Sequence, residues 1–276
     1  MSAVLIVLVA VLTPLSALAV WGDLEVGDTD NYVATMAPLA SDPAVQNAVA
    51  VRITAEVMQE IDVGPFQEGV RSLLQEAVLS FADTDAFQAA WNTINRAAHT
   101  AVETALTSES GDRVTIDLTP VVAQVKQQLS EEGVPFADSI PVEGTRITIL
   151  ESDKLGAARE AFRVLRIAGP WLPVATLLLA AGGVLLAVHR GRALIGIGLA
   201  LAVGGVLLRI TVAVVRGPAL DDLPPDVDRA AAGAAYDALT ATLRTTAWWL
   251  LAVGLALALA AWLLDRRRRT RAARMP

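Results

Sequence analysis

Two places in this chain combine residue types and spacing suited to chemistry. His99, in NRAAHTAVE, stands four residues before Glu103 and eight after Trp91. Positions four apart are neighbours on a helix, so Glu103 is expected to hydrogen-bond the imidazole across one turn. A histidine held in that way can accept a proton or bind a ligand near neutral pH. Its plainer role is a satisfied polar edge beside Trp91. The second place is Arg209, which interrupts the apolar run GGVLLRITVAVV. A guanidinium in mid-bilayer costs at least about 2.5 kcal/mol on the insertion scale. Arg209 lies seven residues before Arg216, roughly 10 Å along a helix. Snorkelling or a carbonyl contact is therefore expected of it, with a polar pathway as the alternative.

The remaining motifs exclude more than they assign. The chain has no cysteine, which removes disulfides, zinc–thiolate sites, iron–sulfur clusters and thiol nucleophiles. The tripeptide DTD occurs at Asp28–Asp30 and Asp83–Asp85, without the glycine and glutamate that a calcium loop needs, and reads as helix capping. No phosphate-binding loop, dinucleotide fingerprint, serine nucleophile elbow or paired zinc histidines occur. No catalytic, metal or cofactor residues are assigned, and the chain is not expected to be an enzyme. His189, the second histidine, flanks a short basic loop.

The elements that must position these residues divide into membrane spans and one larger domain. Apolar residues make up 54% of the 276-residue chain, and the mean hydropathy is +0.50, too apolar for an ordinary soluble domain. The excess gathers in four runs of roughly twenty residues, the length a helix needs to cross a ~30 Å hydrocarbon core. Spans are expected over residues 1–21, 169–189, 193–215 and 247–264. The first reads as an uncleaved signal anchor with Trp21 at the interface. Because no basic residue precedes it, the true start is expected upstream. Gly196, Ala200 and Gly204 recur at four-residue intervals on the third span and are expected to pack helices closely.

Charge sets the orientation. Residues 22–168 carry 23 acidic and 10 basic side chains, whereas the rest of the chain carries 6 and 12. Arg190 and Arg192 in the 190–192 loop, and Arg266, Arg267, Arg268 and Arg269 in the 265–276 tail, mark the cytoplasmic side. Crossing parity then puts both termini in the cytoplasm, with 22–168 and the 216–246 loop outside. An acidic outer domain repels nucleic acid, so none is expected as a partner. The expected partners are membrane lipids, a membrane protein or further copies of the chain.

Within 22–168, Asp42 and Pro43 open a helix whose stripe is Val45, Val49, Ile53, Val57 and Ile61. A second stripe is Val70, Leu73, Leu74, Ala77 and Phe81; a third is Phe87, Trp91, Ile94, Ala98, Ala101 and Leu106, capped by Asp83 or Thr84. DRVTIDL and TRITILE alternate like short strands, parallel or antiparallel, on either side of a helix from Thr119-Pro120 to Gly133. A last helix through Leu155, Ala158, Phe162 and Leu165 runs straight into the second span. The expected fold class is a membrane protein of four transmembrane α-helices plus a mainly α-helical extracytoplasmic α+β domain with a small two-stranded sheet.

The segments DTDNYVATMAPLASDPAVQNAV, FQAAWNTINRAAHTAVETAL and RITILESDKLGAAR resemble an uncharacterised family of integral membrane proteins from high-GC Gram-positive bacteria. The resemblance implies one span, an outer domain and three further spans, and it carries over no functional residue. Together these readings point to a non-enzymatic plasma-membrane protein of the cell envelope that binds, senses or scaffolds through its outer domain. The alternative is an accessory subunit of a transporter or membrane enzyme complex.

Overall fold

The computed structural model describes residues 2–25, 27–60, 64–107, 113–117, 146–187, 190–225 and 227–272, with 123, 126, 127, 130 and 131. The helix expected between Thr119 and Gly133 falls largely outside the described residues, as do Ile61 and His189. The chain forms two compact units. One comprises residues 1–27, 163–221 and 240–276; the other comprises 28–162 and 222–239.

In the first unit, α1 (Ser2–Glu25), the second half of α6 (Ser152–Leu185), α7 (Arg190–Asp221) and α9 (Ala241–Ala272) make a bundle. Each contains a stretch long and apolar enough to cross a membrane: Val4–Glu25, Arg166–Leu185, Arg190–Asp221 and Ala241–Arg267. This is a membrane protein. Its helices exceed the expected spans, because they continue as hydrogen-bonded helix past the apolar residues. Residues 190–192 thus begin α7 rather than forming a loop, and the basic tail stays helical as far as Ala272.

Small residues decide how close these helices come. A Cβ on Gly196 would lie 2.5 Å from Ile6 Cδ1, and one on Gly204 would lie 2.8 Å from Thr13 Cβ, so these two positions face α1. A different pair faces α9. A Cβ on Gly198 would be 2.6 Å from the Gly254 carbonyl oxygen, and one on Gly205 would be 2.7 Å from that of Ala247. Ala200, midway between Gly196 and Gly204 on the same side of the helix, is buried. A polar link joins α1 and α6, where Ser16 and Thr176 share a 2.8 Å hydrogen bond. Gly191 approaches Asp265, which brings the Arg190–Arg192 segment and the basic segment of α9 to one end of the bundle. There Arg266 stacks over the Trp262 ring at 5.4 Å.

The second unit holds α2 (Thr29–Met36), α3 (Pro43–Glu60), α4 (Gln67–Ala82), α5 (Asp85–Thr107), the first turns of α6 and α8 (Arg229–Leu239). Side-chain oxygens start α2, α3, α5 and α8. Asp28 accepts from the Asn31 amide, Asp42 from those of Ala44 and Val45, Thr84 from that of Phe87, and Asp228 from those of Ala230 and Ala231. The 216–246 stretch, expected as a loop, is therefore mostly helical, and α8 packs its alanines on the cluster of Met36, Leu39 and Val45. A second cluster joins Ala40, Ala82 and Phe87. Gln46 of α3 bridges two members of the second cluster by donating to the carbonyls of Ala40 and Ala82 at 3.1 and 3.0 Å.

Two expectations about this unit are corrected. The α+β class with a small sheet gives way to a helical one: the described chain is almost entirely helix. β1 (Arg113–Asp117) and β2 (Arg146–Glu151) run antiparallel and pair with each other alone, so among the described residues no sheet layer exists for helices to pack on. Two strands bury too little apolar surface to organise a domain. The apolar stripes also shift. On α3 the buried line is Val45, Ala50, Thr54 and Met58, while Ile53 is exposed. On α4 Leu73 is exposed, and on α5 Ile94 points outward while His99 is buried. A row of residues spaced by four turns about 40° per step around a 3.6-residue helix, so it leaves the core within a few turns.

Candidate ligand groove

α5 and α2 are joined by a polar cluster around His99, which is 8% exposed. Thr29, in the first turn of α2, reaches across with its hydroxyl. Its Oγ1 lies 3.0 Å from His99 Nδ1 and donates to Glu103 Oε2 at 3.4 Å. A hydroxyl has one proton, so when that proton goes to Glu103 the bond from His99 must be donated by Nδ1–H. The expected direct bond from Glu103 to His99 is thus replaced by one through Thr29. Tyr32, one turn further along α2, stacks on the imidazole with ring centres 4.3 Å apart and planes inclined by 25°. Burial pushes the Tyr32 phenol above its usual value near 10. At the surface, Arg96 bonds Asp30 at 2.6 Å. Every one of these contacts fastens α2 to α5, and the described residues include no cluster able to hold a metal ion.

Tyr32 also borders a groove of about 880 Å³. Its floor is Met36, Leu39, Val45, Val49 and Trp91; its far wall is the Ala231, Ala232 and Ala235 side of α8. Trp91 is held in place because its Nε1–H donates to the Met36 carbonyl at 2.9 Å, with Phe87 tilted against it. Asn95 donates to the Trp91 carbonyl one turn back. Arg52, Asn95, Asp228 and Arg229 supply the groove's polar groups, and Arg52 pairs with Glu56 at 3.0 Å. Such a site matches the usual make-up of a ligand pocket, apolar with a few polar groups that fix orientation.

Of the residues singled out by sequence, Trp91 lines the groove, while His99 and Glu103 stand behind Tyr32 and support it. Arg209 belongs to the other unit. Tyr32, Arg52, Asn95 and Arg229 were not legible as site residues. Asp228 before an alanine-rich stretch was a usable signal for α8, since an aspartate followed by strong helix formers marks a helix start. Comparison with known family models, curated proteins and solved structures finds no match for this chain.

Proposed function

We propose that this is an integral plasma-membrane protein whose acidic unit lies outside the cytoplasm and binds the acyl chain of a lipid. The groove carries the reading: its mostly apolar lining suits a hydrocarbon chain, and Arg52, Asn95 and Arg229 among the lining residues suit a polar end. The unit is covalently tethered to membrane-spanning helices, which keeps lipid at high local concentration. That residues 28–162 and 222–239 belong to one compact unit supports assigning both to one side of the membrane. The meeting of both arginine segments at one end of the bundle supports a cytoplasmic assignment for that end.

The test uses the full chain in nanodiscs. A fluorescent fatty acid should bind and be displaced by unlabelled fatty acids of increasing length. Ala48, half-buried in the groove and outside the core cluster, can be changed to Trp to fill the trough. Binding should then fall at least roughly tenfold, the cost of displacing two or more buried methylenes, with thermal stability kept. Unchanged binding in the Ala48→Trp variant would sink the assignment.

A further inference from the structure

The helix register places Arg209 at a different depth from its position in the apolar run. Gly198 meets Gly254 and Ala258, and Gly205 meets Ala247 and Leu251, so α7 and α9 run antiparallel in constant register. Arg209, four residues beyond Gly205, is therefore level with residues 243–247 of α9. That is where the apolar run of α9 begins, after Arg244, Thr245 and Thr246. The guanidinium thus belongs to the boundary between hydrocarbon and headgroups.

A notch of about 200 Å³ opens beside it on the α7–α9 seam. Gly205, Ala247 and Leu251 line it together with Val206, Ile210, Trp248 and Arg209. Gly205 has no side chain and Ala247 only a methyl group, so neither fills the space beside their close backbone approach. Val206, Ile210 and Trp248 are all exposed, so the notch faces lipid. Arg209 is exposed as well, and among the described residues it makes no hydrogen bond or ion pair.

We propose that this notch is a binding site for one anionic phospholipid. The lipid phosphate accepts a bidentate pair of hydrogen bonds from Arg209, and the first part of an acyl chain lies in the notch beside Trp248. The argument is charge complementarity at a fixed depth. A fork of N–H donors matches a phosphodiester, and the anion present at this level of a bilayer is the lipid phosphate. A net negative lipid is preferred, because the cationic headgroup of a zwitterionic one would be set beside the guanidinium. This site is independent of the groove in the other unit.

A photoactivatable phosphatidylglycerol added to the full chain in phosphatidylcholine nanodiscs tests the proposal. In the unmodified chain, mapped label should concentrate on the peptides holding residues 205–210 and 247–251. Arg209→Gln should reduce that labelling roughly tenfold and Arg209→Lys roughly threefold, the losses expected for removing or weakening a charge-assisted pair. Thermal stability should be unchanged. Equal labelling in Arg209→Gln, equal labelling by a photoactivatable phosphatidylcholine, or label spread over all four helices would each overturn the site. Loss of label to millimolar inorganic phosphate would name free phosphate as the ligand and overturn the lipid assignment. Should Arg209→Gln fail to insert, the map from the unmodified chain decides alone.

Discussion

Gly198 on α7 and Val49 on α3 both look onto a helix that supplies alanines, with opposite results. At Gly198 two backbones touch, with room for no added atom. Around Val49 the packing leaves a groove of about 880 Å³. The two contacts answer to different driving forces. In lipid, an apolar surface gains nothing by leaving its solvent, so helices associate through close backbone packing, and small residues must appear on both partners. Away from lipid, burial itself supplies roughly 25 cal/mol per Å², so α8 can dock through part of its length. Its eleven residues cannot cover the eighteen of α3. What remains uncovered is available to a ligand.

Four measurements test this contrast. The largest effect is expected at the tight seam: Gly198→Leu forces the Gly254–Ala258 backbone away and should cost about 3 kcal/mol or more, read as a lowered thermal midpoint in detergent. An unshifted midpoint would mean the seam is loose. Next, Trp91→Ala removes the half-buried indole from the groove floor together with its bond to Met36. A loss of about 2 to 3 kcal/mol is expected in denaturant unfolding of the acidic unit, with fatty-acid binding lost as well.

Asp228→Ala should have a smaller effect, about 1 kcal/mol, because it deletes the oxygen that caps α8. Amide exchange should quicken across residues 229–239 and hardly change in α3; equal quickening in both would show that the two helices unfold together. The smallest effect concerns pH. The Tyr32 phenol is raised in the folded chain, so the unfolded chain ionises first as pH rises. Its contribution is full below about pH 10 and declines above that value. Tyrosinate absorbance should lose a late-titrating component in the Tyr32→Phe variant. If the component lost titrates at the usual value near 10, Tyr32 is open to water.

Local signals carried far in this chain wherever the physics is local. Asp42 followed by Pro43 announces its helix because the cap depends on three consecutive residues. The charge around His99 was legible as a cluster for the same reason, with Glu103 one turn away. Thr29 was not, since it lies 70 residues from His99 and arrives only when α2 crosses α5. Ile94, expected inside, is exposed, whereas its neighbour Asn95 is half-buried and lines the groove.

Composition and periodicity alone determined that four stretches suit a lipid environment, that the segment between the first two is acidic, and where most helices begin. These properties depend on side-chain transfer energies and on neighbours within a turn. Tertiary structure decided the rest: that Gly198 and Gly205 face α9 while Gly196 and Gly204 face α1, that residues 222–239 complete the acidic unit, and that Arg209 stands level with the start of α9's apolar run. Each of these is set by the register between helices distant in the chain, and a helix of period 3.6 carries no mark of the partner it will meet.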